Sequence, residues 1–388
     1  MRVVFVAHSY PRHEDDMAGS FLLRLARALR GKGVDVRVVA PSARGLAAAD
    51  EFDGIRVERY RYAPRALETL AYTGTMADAV RASWGARAAL GGLLVASAAA
   101  ARRAVRAWRA DLVHAHWWFP GGAAVATRAV RAGRPLVVTM HGSDVRLARG
   151  LAPARAAYAR VVRRAGALTA VSSYLCAESR AMAPDVACDV APMPVAADLF
   201  AAPPPGAPRA GVLFVGRLTR QKGVDTLLRA AAGFRAPLTI CGSGPEEGAL
   251  RTLAADLELG ARVRWLGTQP QSRLADLYRE AAVVAMPSHE EGLGLVAVEA
   301  ALCGTPVVGF RSGGLVDVVD DGVTGFLVRP GDAGALAGAL DRLTRDPALV
   351  VSLGATARAH ASRFAPDRVA ARYREIYDRV IAAGGPGR

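Results

Sequence analysis

The segment from His289 to Gly304, HEEGLGLVAVEAALCG, places two ionisable residues eight apart, Glu291 and Glu299, with only glycine and aliphatic residues between them. A carboxylate buried in such company costs several kcal/mol unless something pairs with it. Carboxylates accept paired hydrogen bonds from vicinal diols. If the whole interval is helical, the two glutamates lie about 12 Å apart along the axis, a spacing that suits two hydroxylated rings on either side of a pyrophosphate. EGLGL then gives two glycines, Gly292 and Gly294, whose amides can approach an oxygen-rich ligand closely. The structural alternative ties Glu299 to an arginine of the core.

Cations stand upstream. In VLFVGRLTRQKG, Arg217 follows an apolar run and Lys222 comes five residues later. Beside helix-terminal amides, that pair can neutralise a diphosphate without a metal. Surface cations are common in so arginine-rich a chain, yet Lys222 is one of only two lysines, with Lys32. TICGSGPEEG adds Gly242 and Gly244 at another strand end, a site for a nucleotide base or merely a tight turn. No Asp-x-Asp follows an apolar strand in this half, so no metal is expected.

The first half offers HAHWWFPGG (His114 to Gly122) and VVTMHGSD (Val137 to Asp144). His114 and His116 share a strand face, but a third metal ligand is lacking. His141 directly follows an apolar strand and is the better candidate for chemistry. Asp144 is the one carboxylate at these strand ends. Trp117, Trp118 and Phe119 either wall an acceptor site or pack beneath it. HSYPRHEDDMAGS puts Gly19 at a helix start, where its amide can meet phosphate or sugar.

These residues require strands to present them. Apolar runs at Val3–Ala7, Val34–Ala40, Leu112–His116, Leu136–Met140, Leu168–Val171 and Val186–Ala191 alternate with helical patterns such as Phe21–Arg30, closed by Gly31. The second half repeats the scheme at Val212–Val215, Leu238–Cys241, Val263–Leu266, Val283–Met286, Val307–Phe310 and Gly325–Val328. Such alternation means parallel α/β domains. AAPPPGAPRAG, Ala201 to Gly211, reads as the linker between them. Ligands of such sheets sit at the carboxyl ends of the strands.

R-x4-K, then E-x7-E and GTPVVGFRSGGLVDVVDDGVTGFLV, resemble the retaining GT-B glycosyltransferases of family 4 throughout the second half. The resemblance implies an α/β fold of two Rossmann-like domains facing across a cleft. The acceptor domain would span residues 1–200, completed by a helix over 364–388, and the donor domain 211–363. It also implies transfer of a sugar from a UDP, GDP or ADP donor to an acceptor hydroxyl, without a cofactor. Arg217 and Lys222 would grip the diphosphate, Glu299 the ribose, and Glu291 and His141 the transferred sugar. The backbone amides of Gly292, Leu293, Gly294 and Leu295 would complete the phosphate site. Asp317 departs from the family's usual glutamate, and Ser20 from a second glycine after Gly19. With no nucleophile beneath the anomeric carbon except Asp144, same-face attack is expected. A non-catalytic nucleotide-sugar-binding subunit and a sugar-nucleotide epimerase are the alternatives.

Composition bounds the rest. The chain has 388 residues, 52% hydrophobic and 22% charged, which is ample for two folded domains. Its net charge of +15 is uneven: residues 1–200 carry 28 Lys and Arg against 16 Asp and Glu. The excess suggests either an anionic partner, namely a membrane surface, a lipid-linked or phosphorylated acceptor or nucleic acid, or simply a compositional bias toward arginine. Nucleic acid is not expected, because no reading module or interleaved aromatics occur. Arg81, Arg87, Arg102, Arg103, Arg106 and Arg109 flank the apolar stretch Ala88–Ala101, which is either an interfacial helix or a core helix. No signal peptide or membrane span is evident. Cys176, Cys188, Cys241 and Cys303 lack metal spacing and read as reduced core residues of a cytoplasmic bacterial protein, peripheral to the membrane if the interfacial reading holds. The absence of asparagine fits a GC-rich genome.

Overall fold

RVVFV, LVHAH, LVVTM and ALTA are buried along almost their whole length, as strands covered on both faces by helices must be. The computed structural model describes residues 1–14, 16–72, 76–204 and 206–384. Asp15 of the first loop, Pro205 of the proline run and the last four residues of the tail lie outside the described residues. The chain divides into two units, Met1–Pro194 with Pro366–Arg388, and Val195–Ala365.

The strands of the first unit are β1 (Arg2–Val6), β2 (Asp35–Pro41), β3 (Ala49–Phe52), β4 (Ile55–Tyr60), β5 (Leu112–His116), β6 (Leu136–Met140), β7 (Ala167–Ala170) and β8 (Cys188–Val190). They lie in the order β3-β4-β2-β1-β5-β6-β7-β8. All neighbours are parallel except β3 and β4, which form an antiparallel hairpin. That hairpin was not expected, although Asp53-Gly54, with φ of 50° and 74°, is the dipeptide a two-residue turn favours.

The second unit has six parallel strands, β9 (Val212–Val215), β10 (Leu238–Cys241), β11 (Val263–Gly267), β12 (Val283–Met286), β13 (Val307–Phe310) and β14 (Gly325–Val328). Their order is β11-β10-β9-β12-β13-β14. In each sheet the chain starts at the centre, winds to one edge and returns to the other side. The reversal falls between β1 and β5 in the first sheet and between β9 and β12 in the second. Loops diverge there, leaving the crevice in which such sheets bind ligands.

Three expectations need correction. The unit boundary falls at Pro194/Val195, so Ala201–Gly211 is no free linker. Phe200 is buried against Tyr278, and the Arg209 guanidinium donates to the carbonyl of Cys303 at 2.7 Å; these contacts fasten the segment to the second unit. The return to the first unit comes at Pro366. There the Pro366–Ala383 helix buries Tyr373, Ile376, Tyr377 and Val380. Cys176 and Cys188 are not reduced: they form a disulfide, with Cα atoms 5.5 Å apart. Cys241 and Cys303 are free and buried.

The arginine-flanked stretch forms one helix, Trp84–Trp108. Ala86, Ala89, Leu93, Ser97, Ala100 and Ala104 recur at three- and four-residue spacing and are buried, so this face packs into the core. Trp84 and Val95 on the other face are 81% and 72% exposed. The helix is long and apolar enough to cross a membrane by length and composition.

Candidate active site

In the second unit, the reversal between β9 and β12 brings two loops side by side. The loop after β9 runs through Arg217 to Lys222, which sits in a 3-10 turn over Arg220–Lys222. The loop after β12 runs from Pro287 to Gly294, where the Leu295–Leu302 helix begins. The loops are laced together. His289 N donates to Gln221 O at 2.9 Å, and Gln221 Nε2 donates to Glu290 O at 2.7 Å.

This lacing places the Lys222 ammonium on the Glu291 carboxylate, an ion pair that the spacing of the motifs did not reveal. Ser288, buried, donates its hydroxyl to the same oxygen at 3.1 Å. Glu291 is buried and its main chain is gripped in turn, Gly314 N donating to Glu291 O at 2.9 Å. Gly313, at φ 56°, and Gly314 pass so close to the Glu291–Leu293 backbone that a Cβ on either would overlap it. Only glycine allows that approach.

After Glu291 the chain is not helical. Gly294 is left-handed, at φ 89°. The interval to Glu299 is therefore only half helical, and the 12 Å separation expected for a continuous helix does not apply. The backbone N–H groups of Gly292, Leu293, Gly294 and Leu295 have no hydrogen-bond partner among the described residues. Four such donors, following in sequence the carboxylate that holds the Lys222 ammonium, can together receive an anion. Arg217 is exposed and also lacks an ion-pair partner. Glu299 is buried on the Leu295–Leu302 helix and accepts from Tyr278 Oη at 2.9 Å. Burial and the Glu299 charge together push the Tyr278 phenol well above its ordinary range.

The two glycines after β10 serve packing. Gly242 N is spent on Gly267 O at 2.8 Å. Gly244 lies against the Leu218 backbone with no room for a Cβ.

In the first unit, His141 follows β6 and is half-buried. Its Nε2 lies 3.2 Å from His116 Nδ1, and Trp117 stacks on it with ring centroids 4.3 Å apart. Burial holds His141 and His116 well below the ordinary imidazole range, their histidine neighbours adding to the effect. Both are neutral at pH 7. His114 spends both ring nitrogens, on Tyr377 Oη at 2.7 Å and on Thr139 Oγ1 at 2.6 Å, which removes it as a metal ligand. Burial depresses it to about 3.

Asp144 is structural as well. Its carboxylate accepts from the backbone N–H groups of His141, Gly142 and Trp118 at 3.0–3.1 Å. Burial, the larger effect, nonetheless raises its pKa. Trp118 is fully buried, donates Nε1–H to Asp144 O at 2.6 Å and packs on Tyr158. It is a core residue and no part of an acceptor wall. Gly19 is left-handed at φ 75° and precedes the Ser20–Arg30 helix, with its N–H unpartnered among the described residues.

The chain matches known proteins over both units. Residues 18–198 match the description Glycosyltransferase Family 4, and residues 200–360 match Glycosyl transferases group 1. The chain is 36% identical over 315 residues to a D-inositol 3-phosphate glycosyltransferase of Salinispora arenicola, covering 71% of this chain and 70% of that protein. A protein of the same description from Nocardiopsis dassonvillei is 37% identical over 303 residues, covering 69% and 70%. This chain is a family 4 glycosyltransferase.

The glycosyltransferase has the GT-B fold. It superposes on the sucrose-phosphate synthase of Thermosynechococcus elongatus with a TM-score of 0.81 at 24% identity, over 99% of this chain and 100% of that one. Anabaena HepE in complex with UDP-glucose gives 0.74 at 22% identity, over 97% and 99%. Family membership makes the chain an enzyme that takes its sugar from a nucleotide-sugar, and it sets aside the non-catalytic subunit and the epimerase.

Proposed function

We propose that this glycosyltransferase moves a hexose from UDP to a hydroxyl of a phosphorylated polyol, with retention of anomeric configuration. The observation that carries the reading is the pairing of Lys222 with four unpartnered backbone N–H groups at Gly292 to Leu295. A diphosphate laid there accepts from the amides and draws Lys222 away from Glu291, whose carboxylate is then free to accept from sugar hydroxyls. Glu299 holds the ribose, and neutral His141 bonds the transferred sugar.

In this scheme the anomeric C–O bond to the β-phosphate breaks while the acceptor oxygen bonds to the same face of that carbon. The acceptor's proton passes to the departing phosphate oxygen. Lys222, Arg217 and the amides stabilise the charge that grows there. UDP is favoured because HepE is known in complex with UDP-glucose. The polyol phosphate is favoured because the relatives are named for inositol 3-phosphate.

The test is a product assay by mass spectrometry with UDP-glucose, UDP-N-acetylglucosamine, GDP-mannose and ADP-glucose, each with inositol 3-phosphate and with free inositol. The reading expects a UDP donor and loss of product when the acceptor phosphate is removed. Turnover with GDP-mannose or ADP-glucose alone would overturn the donor; equal turnover of free inositol would overturn the acceptor.

A second reading concerns location. The outer face of the Trp84–Trp108 helix exposes Trp84 and Val95 between clusters of arginine, which supports an enzyme resting on anionic lipid. Equal flotation with neutral and with phosphatidylglycerol liposomes would retire it.

A further inference from the structure

At the amino ends of β6 and β7, the edge of the first sheet opposite His141, lies a cavity of about 510 Å³. Its lining includes Arg128, Arg131, Arg134 and Arg164, and no carboxylate among the described residues. Arg131 is only 4% exposed. Its Nη1 donates to the carbonyls of Val125 and Ala126, both at 2.7 Å, and its Nε donates to Arg134 O at 3.0 Å. Those bonds cap a turn of backbone; among the described residues Nη2 makes no hydrogen bond and no carboxylate pairs with the guanidinium.

Arg128, Arg134 and Arg164 are exposed, and their guanidinium groups make no hydrogen bond or ion pair among the described residues. Elsewhere arginines of this chain find carboxylates, as Arg163 does with Asp185 at 2.7 Å. Burial, with Arg128 and Arg164 close by, lowers the Arg131 guanidinium to about 10. A buried cation ringed by like charges is costly unless an anion joins it, and a concave site concentrates their common field.

We propose that this cavity is an anion site, separate from the donor site, for a small molecule bearing a phosphate or pyrophosphate. The guanidinium fork matches phosphate oxygens bidentately, and four cations without a counter-charge call for a multivalent anion. The site is concave, so a free phosphate compound enters it where the plane of a bilayer does not. Nothing in this assignment depends on the donor or acceptor proposed above.

The experiment is calorimetric titration of inorganic pyrophosphate into protein carrying Arg217→Ala, Lys222→Met and Glu291→Gln, which removes both cations of the donor site. Binding is expected there and is expected to weaken by about tenfold or more when Arg128→Ala, Arg134→Ala and Arg164→Ala are added, with Arg131 kept for the fold. In the otherwise native enzyme, the three arginine changes are expected to leave the rate at saturating substrates within about twofold of the parent. Pyrophosphate binding that survives the triple change, or that is absent from the parent at millimolar concentration, would overturn the proposal. So would phosphatidic acid vesicles sedimenting the parent but not the triple variant while pyrophosphate binds neither.

Discussion

The two sheets share a winding scheme and part ways in what their strand ends do with polar groups. In the second unit, the loops after β9 and β12 hold donors in reserve: four backbone N–H groups without partners, an exposed Arg217, and a Lys222 parked on Glu291. In the first unit the corresponding groups are largely consumed. Asp144 ties three amides, Trp118 is bonded to Asp144, and His114 bridges β6 to the C-terminal helix. One end is built to receive charge; the other is cross-braced and presents chiefly His141, Trp117 and Gly19. A motif residue at a strand end is therefore a site residue only if its bonding capacity is left over after the fold has used what it needs.

The largest expected effect breaks the reserve. Removing Lys222 alone would leave the Glu291 carboxylate buried with Ser288 as its one remaining partner among the described residues, at a cost of about 1–3 kcal/mol to folding. The informative variant is therefore Lys222→Met with Glu291→Gln. Its turnover is expected to fall by about a thousandfold or more while circular dichroism stays native; a loss under tenfold would mean Lys222 is not at the reacting phosphate.

Acid should separate the units next. Burial depresses four histidines of the first unit, His8 to about 4, His114 to about 3, and His116 and His141 well below their ordinary value. In the second unit only His360 is lowered. A depressed imidazole favours the neutral form, so its stability is present above about pH 6.5 and is lost as pH falls, because the unfolded chain takes up protons first. The first unit is therefore expected to lose stability as pH falls from 6.5 to 5.5. Hydrogen exchange, corrected for intrinsic rates, should show first-unit amides opening while those of the second hold; equal loss in both would contradict the contrast.

A smaller effect sharpens the division of labour within the second unit. Glu299→Gln is expected to raise the KM for the nucleotide sugar by about tenfold, through a lost charge-assisted bond to the ribose, and to leave pyrophosphate affinity unchanged. A parallel loss of both would move Glu299 to the diphosphate. The smallest expected effect is none: EDTA should not change the rate, because cations of the chain do the neutralising.

Much of this was legible in the sequence. Val212–Val215, Leu238–Cys241, Val283–Met286, Val307–Phe310 and Gly325–Val328 are strands over the very residues their β-branched runs mark. Lys222, Arg217, Glu291 and Glu299 stood out because charge amid glycine and aliphatic residues needs a reason. What stayed hidden depends on contacts between distant segments. The Lys222–Glu291 pair exists only once β9 and β12 lie side by side, and Gly242 lost its amide to a neighbouring strand end that no local spacing reveals. The proline run read as a linker because prolines forbid regular structure, yet Arg209 and Phe200 anchor it. The β3–β4 hairpin escaped because its charged strand ADEF carries no apolar run, although Asp53-Gly54 was a signal in plain view.

The central claim is that a diphosphate displaces Glu291 from Lys222 and lies on the amides of Gly292 to Leu295. Calorimetric titration of UDP tests it most directly, in the wild type, in Glu291→Gln, and in the Lys222→Met, Glu291→Gln double variant. Releasing Lys222 from its carboxylate should tighten UDP binding in Glu291→Gln, by about two- to tenfold, and removing the ammonium as well should weaken it by about ten- to a hundredfold relative to that variant. Equal UDP affinity in all three proteins would place the diphosphate elsewhere.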